Sequence, residues 1–364
     1  MAGTPASQGS YLASKVVVTH RYCAAKFPKP VKLPAGVSDE RARLIRETAN
    51  KWMNGSTIRY WFFDKPAKYA GAASQKDVVR KAFAQWKALG IGLSFQEVAS
   101  RDKSDVRIAF MDGDGSWSYI GTDVLTPRAD PRTMNFGWSL TDDPAEGMDT
   151  ALHAIGHALG FPHEHQNPFA GIVWDEKAVY AALAAEPNSW SKTTTFHNIL
   201  EKIQPDKVQG SRWDPNSVMH YPFEAGLIAK PMKYRKGLTP AGGLSARDRE
   251  WALTFYPGSI AATLPQLKAF ETVPISVSSG QQTDFAFKPI QTRDYEFRTF
   301  GDADAIMALY PKRGLGAKPL AQEDDSGHEH NAHLKTHLKA GEEYVLRLRV
   351  RYAKPAAPAA VMVW

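Results

Sequence analysis

Residues 153–165 read His-Ala-Ile-Gly-His-Ala-Leu-Gly-Phe-Pro-His-Glu-His. His153 and His157 are four apart, so on a helix their imidazoles leave the same face, one turn from each other. Gly160 falls where that helix must stop, because glycine takes the left-handed turn without a steric penalty. The chain can then double back and bring His163 to the same point in space. Three neutral imidazole nitrogens at about 2.0–2.1 Å, with a fourth position open, describe a catalytic zinc site. Such a helix ordinarily carries its general base as a glutamate directly after the first histidine. Here that residue is Ala154, whose methyl group neither accepts nor delivers a proton. General acid–base groups contribute about 10²–10⁴-fold, so the alanine costs on the order of 3–5.5 kcal/mol of barrier. The metal site is whole and the base is missing.

The elements that must position these residues are legible in outline. Asp149 or Thr150 is the expected cap of the zinc helix, which runs through Leu159. Ser56–Phe63, rich in β-branched and aromatic residues, predicts a strand, with two more near Leu93–Val98 and Val106–Phe110. Val78, Val79, Ala82, Phe83 and Trp86 recur at helical spacing within Gln75–Leu89. Arg132–Trp138 reads as a short strand just before the zinc helix. Residues 1–45, punctuated by Pro28, Pro30 and Pro34, read as an extended arm and a candidate pro-segment. Pro257, Gly258 and Pro265 mark a boundary after a unit of residues 46–258. Beyond it, residues 265–364 alternate apolar with polar at Asp284–Phe287, Tyr295–Phe300, Ala305–Tyr310 and Tyr344–Val350, as in a small antiparallel β-sandwich.

Four stretches, taken together, resemble the astacin-like metzincins. They are the histidine run with Gly160-Phe161-Pro162-His163-Glu164-His165, the Met-turn form Ser217-Val218-Met219-His220-Tyr221, the segment Leu244-Ser245-Ala246-Arg247-Asp248, and Tyr256 beyond it. The resemblance implies an α+β fold: a twisted mixed sheet with two long helices, zinc at the floor of a cleft, and endopeptidase action on peptide or protein substrates. It implies one catalytic Zn2+ on His153, His157 and His163. Met219 would be a soft filler beneath the imidazoles. Tyr221 would be an extra zinc ligand at rest that stabilises the tetrahedral oxyanion; its other reading is a core tyrosine. Glu164 would be the acidic residue that meets a new N-terminal amine after maturation, or else a hydrogen-bonding support. Thr133, Met134, Asn135 and Phe136 would form the sheet edge along which substrate pairs. The C-terminal stretch, through Asp302-Ala303-Asp304, Asp324-Asp325-Ser326-Gly327 and Ala340-Gly341-Glu342-Glu343-Tyr344, resembles the bacterial pre-peptidase C-terminal domain, with a surface or matrix ligand as its expected partner.

With the rest of the constellation undecayed, Ala154 reads as a deliberate inactivating substitution of glutamate. The rival is a natural pseudoprotease, a zinc-containing protein that binds peptides or surfaces. Cys23, the only cysteine, excludes an intrachain disulfide and points to a bacterial-type relative. Its thiolate could fill the open zinc position and hold a precursor latent; the plainer reading is a small buried hydrophobe. Asp324-Asp325 offers a weak Ca2+ site. His328, His330, His333 and His337, near Glu329, read as a solvated polar face, with a metal tract as the minority case.

The net charge of +7 comes without any nucleic-acid-binding pattern, and its lysines and arginines are spread along the chain, so a basic soluble surface is expected rather than nucleic-acid binding. No run of eighteen apolar residues predicts a membrane span. Secretion is expected of an astacin-like enzyme. The start, Met1-Ala2-Gly3-Thr4-Pro5-Ala6, lacks the layout of a secretory signal. A signal replaced by methionine, another export route, or retention in the cell would each explain that.

Overall fold

In a computed structural model, the residues described are 19–26, 50–126, 128–203, 213–258, 263–275, 281–301, 303–312, 319–323, 331–352 and 358–364. They fall into two compact units. One comprises the described parts of Cys23–His163, Asn216–Met219 and Ala241–Trp364; the other, those of Met1–Tyr22, Glu164–Pro215 and His220–Pro240.

The first unit opens with a six-stranded mixed sheet. Its strands are β1 (Ala24–Lys26), β2 (Thr57–Phe62), β3 (Ser94–Glu97), β4 (Val106–Ala109), β5 (Trp117–Tyr119) and β6 (Met134–Asn135), in the order β1-β5-β6-β4-β2-β3. Only β5 and β6 pair antiparallel; the other neighbours run parallel. Helix α1 (Ala73–Ala88) buries Val79, Ala82, Phe83 and Trp86, the stripe its periodicity predicts. Phe83 stacks on Tyr60 at 4.2 Å between ring centroids, and Trp86 Nε1 donates to the Leu152 carbonyl at 3.1 Å. That bond fixes α1 against the second long helix, α2 (Pro144–Ala158).

Helix α2 begins earlier than its sequence suggested. Asp143 is the cap, accepting from the backbone N–H groups of Ala145 and Glu146 at 2.9 and 3.1 Å, with Pro144 at the first helical position. Asp149 lies inside the helix instead and accepts from Gly243 N–H at 2.7 Å. At the other end Gly160 has φ +100°. Its N–H reaches the His157 carbonyl, and Phe161 N–H reaches that of Gly156, at 2.8 and 3.0 Å. This Schellman pair ends the helix and turns the chain back.

The other unit holds β7 (Val173–Trp174) paired with β8 (Ile228–Lys230), and helix α3 (Glu176–Leu183), around a core that includes Tyr22, Tyr221 and Phe223.

Returning to the first unit, helix α4 (Ala246–Phe255) starts with a reciprocal Ser245–Asp248 capping box. A β-sandwich follows, so the chain is α+β. One sheet runs β10-β17-β12-β15 and the other β14-β13-β16-β11-β9, built from β9 (Gln266–Leu267), β10 (Thr272–Pro274), β11 (Gln282–Phe287), β12 (Arg293–Gly301), β13 (Asp304–Pro311), β14 (Ala321–Glu323), β15 (His333–Leu338), β16 (Tyr344–Tyr352) and β17 (Ala359–Val363). Pairing is antiparallel except between β9 and β11. Phe285, Phe297, Leu309, Leu346, Leu348 and Val361 face one another between the sheets.

The alternation of β16 does not mark a wet face. Arg347 and Arg349 are as buried as Leu346 and Leu348, with which they alternate, because their face packs on residues 51–55. Arg349 donates to the carbonyls of Lys51 and Trp52. Arg347 pairs with Asp284 at 3.2 Å and approaches Gly55 (φ +83°) so closely that a side chain there would collide with it. Met53 packs with Ile306, Ala308 and Tyr310. On β15, His333 and His337 pair with Glu296 and Asp294 of β12 at 2.9 Å each, the polar face expected of them. His328, Glu329, His330 and the Asp324-Asp325 calcium candidate lie outside the described residues. No helix among the described residues is long and apolar enough to cross a membrane.

Candidate metal centre

The three histidines that the sequence singles out converge. His153 and His157 Nε2 are 3.0 Å apart, and His157 and His163 Nε2 are 3.1 Å apart. The three rings are buried, with ligand atoms within 4.8 Å of one another, and form the only such His/Cys/Asp/Glu cluster found among the described residues.

Two of the rings have their tautomer set by the backbone. His153 Nδ1–H donates to the Val218 carbonyl at 2.7 Å, and His157 Nδ1–H to the Phe161 carbonyl at 2.8 Å. Their Nε2 atoms are therefore unprotonated, with lone pairs pointed at a common centre. Burial lowers the His153 pKa to about 4 against the opposing Val218 bond, and lowers that of His157 well below the ordinary value, with His163 and His153 adding to the effect. Neutral rings whose lone pairs face each other repel, and a cation at their centre relieves that repulsion. Tetrahedral ligands at 2.0–2.1 Å from zinc stand about 3.3 Å apart, close to the separations here. The residues fit the metal.

The support beneath them is specific. Ser217 Oγ donates to Asp248 at 2.6 Å, Val218 N–H donates to its other oxygen at 2.8 Å, and Met219 N–H donates back to Ser217 Oγ at 3.0 Å. Asp248, at the cap of α4, thus fixes the carbonyl that orients His153. Met219 is buried with its sulfur against α2 at Gly156, where any side chain would strike it. At the end of α2, Trp52 Nε1 donates to the Ala158 carbonyl at 2.7 Å and Tyr256 Oη to that of Leu159 at 2.5 Å. The sequence shows Asp248 and Tyr256 only as parts of a family pattern, and nothing in it marks Trp52, because these roles exist only once distant segments meet.

The other candidate residues divide. Ala154 is fully buried within the core that carries α2. Cys23 is buried, its thiol pushed well up by desolvation, and its carbonyl lies 3.4 Å from His163 Nε2. Tyr221 and Glu164 belong to the other unit. Tyr221 is buried there, stacked on Tyr22 at 4.6 Å and 12° between rings. Glu164 accepts from Asn167 Nδ2 at 3.2 Å and from Asp214 N–H at 2.9 Å.

Thr133, Met134, Asn135 and Phe136 do not form an edge. Strand β6 lies between β4 and β5, and all four residues are buried. Asn135 spends its side chain on the Met111 and Gly115 carbonyls at 3.1 and 2.8 Å, pinning that loop rather than facing a peptide. The outer antiparallel strand is β5, and β1 already pairs along it. Trp-Ser-Tyr is too short an alternation to have signalled a strand.

The chain is similar to known proteins over parts of its length. Karilysin of Tannerella forsythia is 24% identical over 140 residues, a match taking in 34% of this chain and 29% of karilysin's length. A structure of myroilysin is 32% identical with a TM-score of 0.52, covering 58% of this chain and 98% of that one. The pre-peptidase C-terminal domain of collagenase from Bacillus anthracis aligns at 11% identity and a TM-score of 0.25, over 29% of this chain and 99% of that one. The family model for Astacin, a peptidase family, matches residues 44–231. That span takes in the helix, its glycine turn, all three converging histidines and the methionine beneath them, and on that match this chain belongs to the astacin family of metallopeptidases.

Proposed function

We propose that this chain is a secreted zinc endopeptidase whose general base is replaced by alanine at position 154. The observation that carries the reading is the convergence of three Nε2 atoms, two of them held unprotonated by backbone carbonyls at the opposite ring nitrogen. Zinc bound by His153, His157 and His163 would polarise a scissile carbonyl and lower the pKa of a water toward about 7. The chain's own groups supply the rest. A carboxylate at position 154 would take the water's proton and hand it to the leaving amine. The Tyr221 phenol would donate a hydrogen bond to the developing oxyanion. Strand β5, once β1 leaves it, would align an extended peptide through backbone pairing. The test is an endopeptidase assay of the Ala154→Glu chain on a mixed peptide library, with chelator and zinc re-addition as controls.

In that background Tyr221→Phe is expected to lower kcat by about 10²–10³ and leave KM and zinc content nearly unchanged. The ground-state carbonyl gains little from a phenol, whereas the oxyanion loses a donor that phenylalanine cannot replace. An unchanged kcat returns Tyr221 to the role of a core tyrosine.

We further propose that the N-terminal segment holds the enzyme latent through Cys23. Its carbonyl lies against His163, β1 covers β5, and the preceding Tyr22 stacks on Tyr221. A cation beside the sulfur would favour the thiolate that burial alone disfavours. Cys23→Ala combined with Ala154→Glu is expected to be at least tenfold more active before any maturation cut than Ala154→Glu alone. Equal activity assigns Cys23 to packing.

The domain organisation we propose is an arm of residues 1–45, a peptidase domain of 46–258 and a sandwich of 265–364, supported by the separate apolar clusters of the last two. Removing residues from 262 onward should leave a folded, zinc-loaded chain. Uncovering Met53 forfeits about 1.5–3 kcal/mol, so thermal unfolding should drop by roughly 3–12 °C. An insoluble product in the presence of zinc refutes the boundary. Ala154 itself favours one rival, a pseudoprotease that binds peptides through zinc without cutting them, and the library assay separates the two.

A further inference from the structure

Lys26 ends β1, and its ammonium sits 3.3 Å from the centroid of the Trp117 ring on β5. Trp117 is itself buried. Its Nε1 donates to Asp114 at 3.2 Å, and Asp114 also holds the Arg132 guanidinium at 2.7 Å. Arg132 pairs in addition with Asp130 at 2.8 Å and lies 5.0 Å from the same ring. Two carboxylates and one guanidinium thus act on Lys26 through space, a net negative charge near the aromatic face. Burial disfavours the Lys26 charge most; Asp114 and Asp130 favour it and Arg132 opposes it. An indole face with nearby carboxylates is a cation-binding arrangement.

The strand that brings Lys26 there is three residues long, and so short a strand holds weakly by backbone pairing alone. Cys23, three residues earlier, has its carbonyl 3.4 Å from His163 Nε2. At about 3.3 Å per extended residue, the cation is roughly 10 Å along the chain from the histidine cluster.

We infer that the Trp117 face with Asp114 and Asp130 is a subsite for a lysine or arginine side chain of a peptide paired along β5, three residues from the metal centre, and that Lys26 occupies it in the resting chain. The cleavage arm of the test rests on the peptidase reading above; the binding arm does not.

In the cleavage arm, the Ala154→Glu chain is given a mixed peptide library and the cut sites are sequenced. Lysine and arginine should be enriched at least fivefold at one position three residues from the cleaved bond. In the binding arm, the full chain with Ala154 retained and Lys26→Ala introduced is titrated calorimetrically. One ligand is an acetylated hexapeptide of alanines bearing a single lysine, and the other has norleucine in its place. The lysine peptide should bind at least tenfold tighter. This comparison alters the ligand, so it does not depend on whether a substitution of Trp117 folds. Equal affinities, or no binding of either peptide, overturn the subsite, as does cleavage with no basic preference at that position. A library left uncut by both the Ala154→Glu chain and the Ala154→Glu, Cys23→Ala chain, beside a tenfold difference in the titration, removes the peptidase reading and leaves the subsite standing.

Discussion

The Ala154→Glu chain should cleave internal peptide bonds about 10²–10⁴ times faster than the chain with alanine, which is the contribution of a positioned general base and corresponds to about 3–5.5 kcal/mol of barrier. The position is right for it: residue 154 follows His153 on α2, so a carboxylate there is carried by the same rigid helix as two of the histidines. Ala154 is fully buried, and an ionised carboxylate in a dry core is costly unless a charge compensates it. A metal cation on His153, His157 and His163 provides that charge. The Ala154→Glu protein should therefore be less stable than the alanine form when metal-free and recover when zinc is added. Turnover of a quenched-fluorescence peptide and thermal melts with and without chelator measure both effects. A folded, zinc-loaded Ala154→Glu, Cys23→Ala protein that cuts nothing in a diverse library ends the peptidase reading.

His157→Ala should abolish stoichiometric metal binding, whereas the chain with Ala154 should bind one zinc, since that methyl group is no ligand. His157 is the middle member of the cluster, within 3.1 Å of both other Nε2 atoms, so its loss removes the ligand that links them. Metal binding adds to folding free energy, and the stabilisation grows with RT ln(1 + [L]/Kd), about 4.1 kcal/mol at a thousandfold excess over Kd. The melting temperature of the parent should rise on zinc addition and that of His157→Ala should not. Metal analysis after dialysis gives the stoichiometry; zinc retained at one per chain in His157→Ala would refute the three-histidine centre.

Much of the site was legible because it is local. His153, His157, Gly160 and His163 lie within eleven residues, and helical periodicity with one left-handed glycine suffices to gather them. The strand Thr57–Phe62 and the helix Ala73–Ala88 were equally plain, each carrying one period over its whole length. The start of α2 was misplaced because Asp143, Asp149 and Thr150 are all competent caps, and the choice among them fell to Gly243, which claims Asp149 from elsewhere in the chain.

What the tertiary structure decided are relations between segments far apart in sequence. Met134 and Asn135 carry no mark of lying inside or at the edge of a sheet; strand order alone made β5 the outer antiparallel strand and brought β1 onto it. Arg347 and Arg349 alternate with Leu346 and Leu348 as a half-exposed strand would, yet both are buried, because the sheet's second face meets residues 51–55 and the arginines find carbonyl and carboxylate partners there. Side-chain period reports which residues share a face, and it does not report what covers that face. The sequence by itself determined the gathering of the three histidines and the alanine that follows the first of them, since both depend on spacing along one helix and its turn. The orientation of His153, fixed by Val218 and Asp248 from beyond residue 215, was left to the fold, because a hydrogen bond between distant residues leaves no pattern in the order of the amino acids.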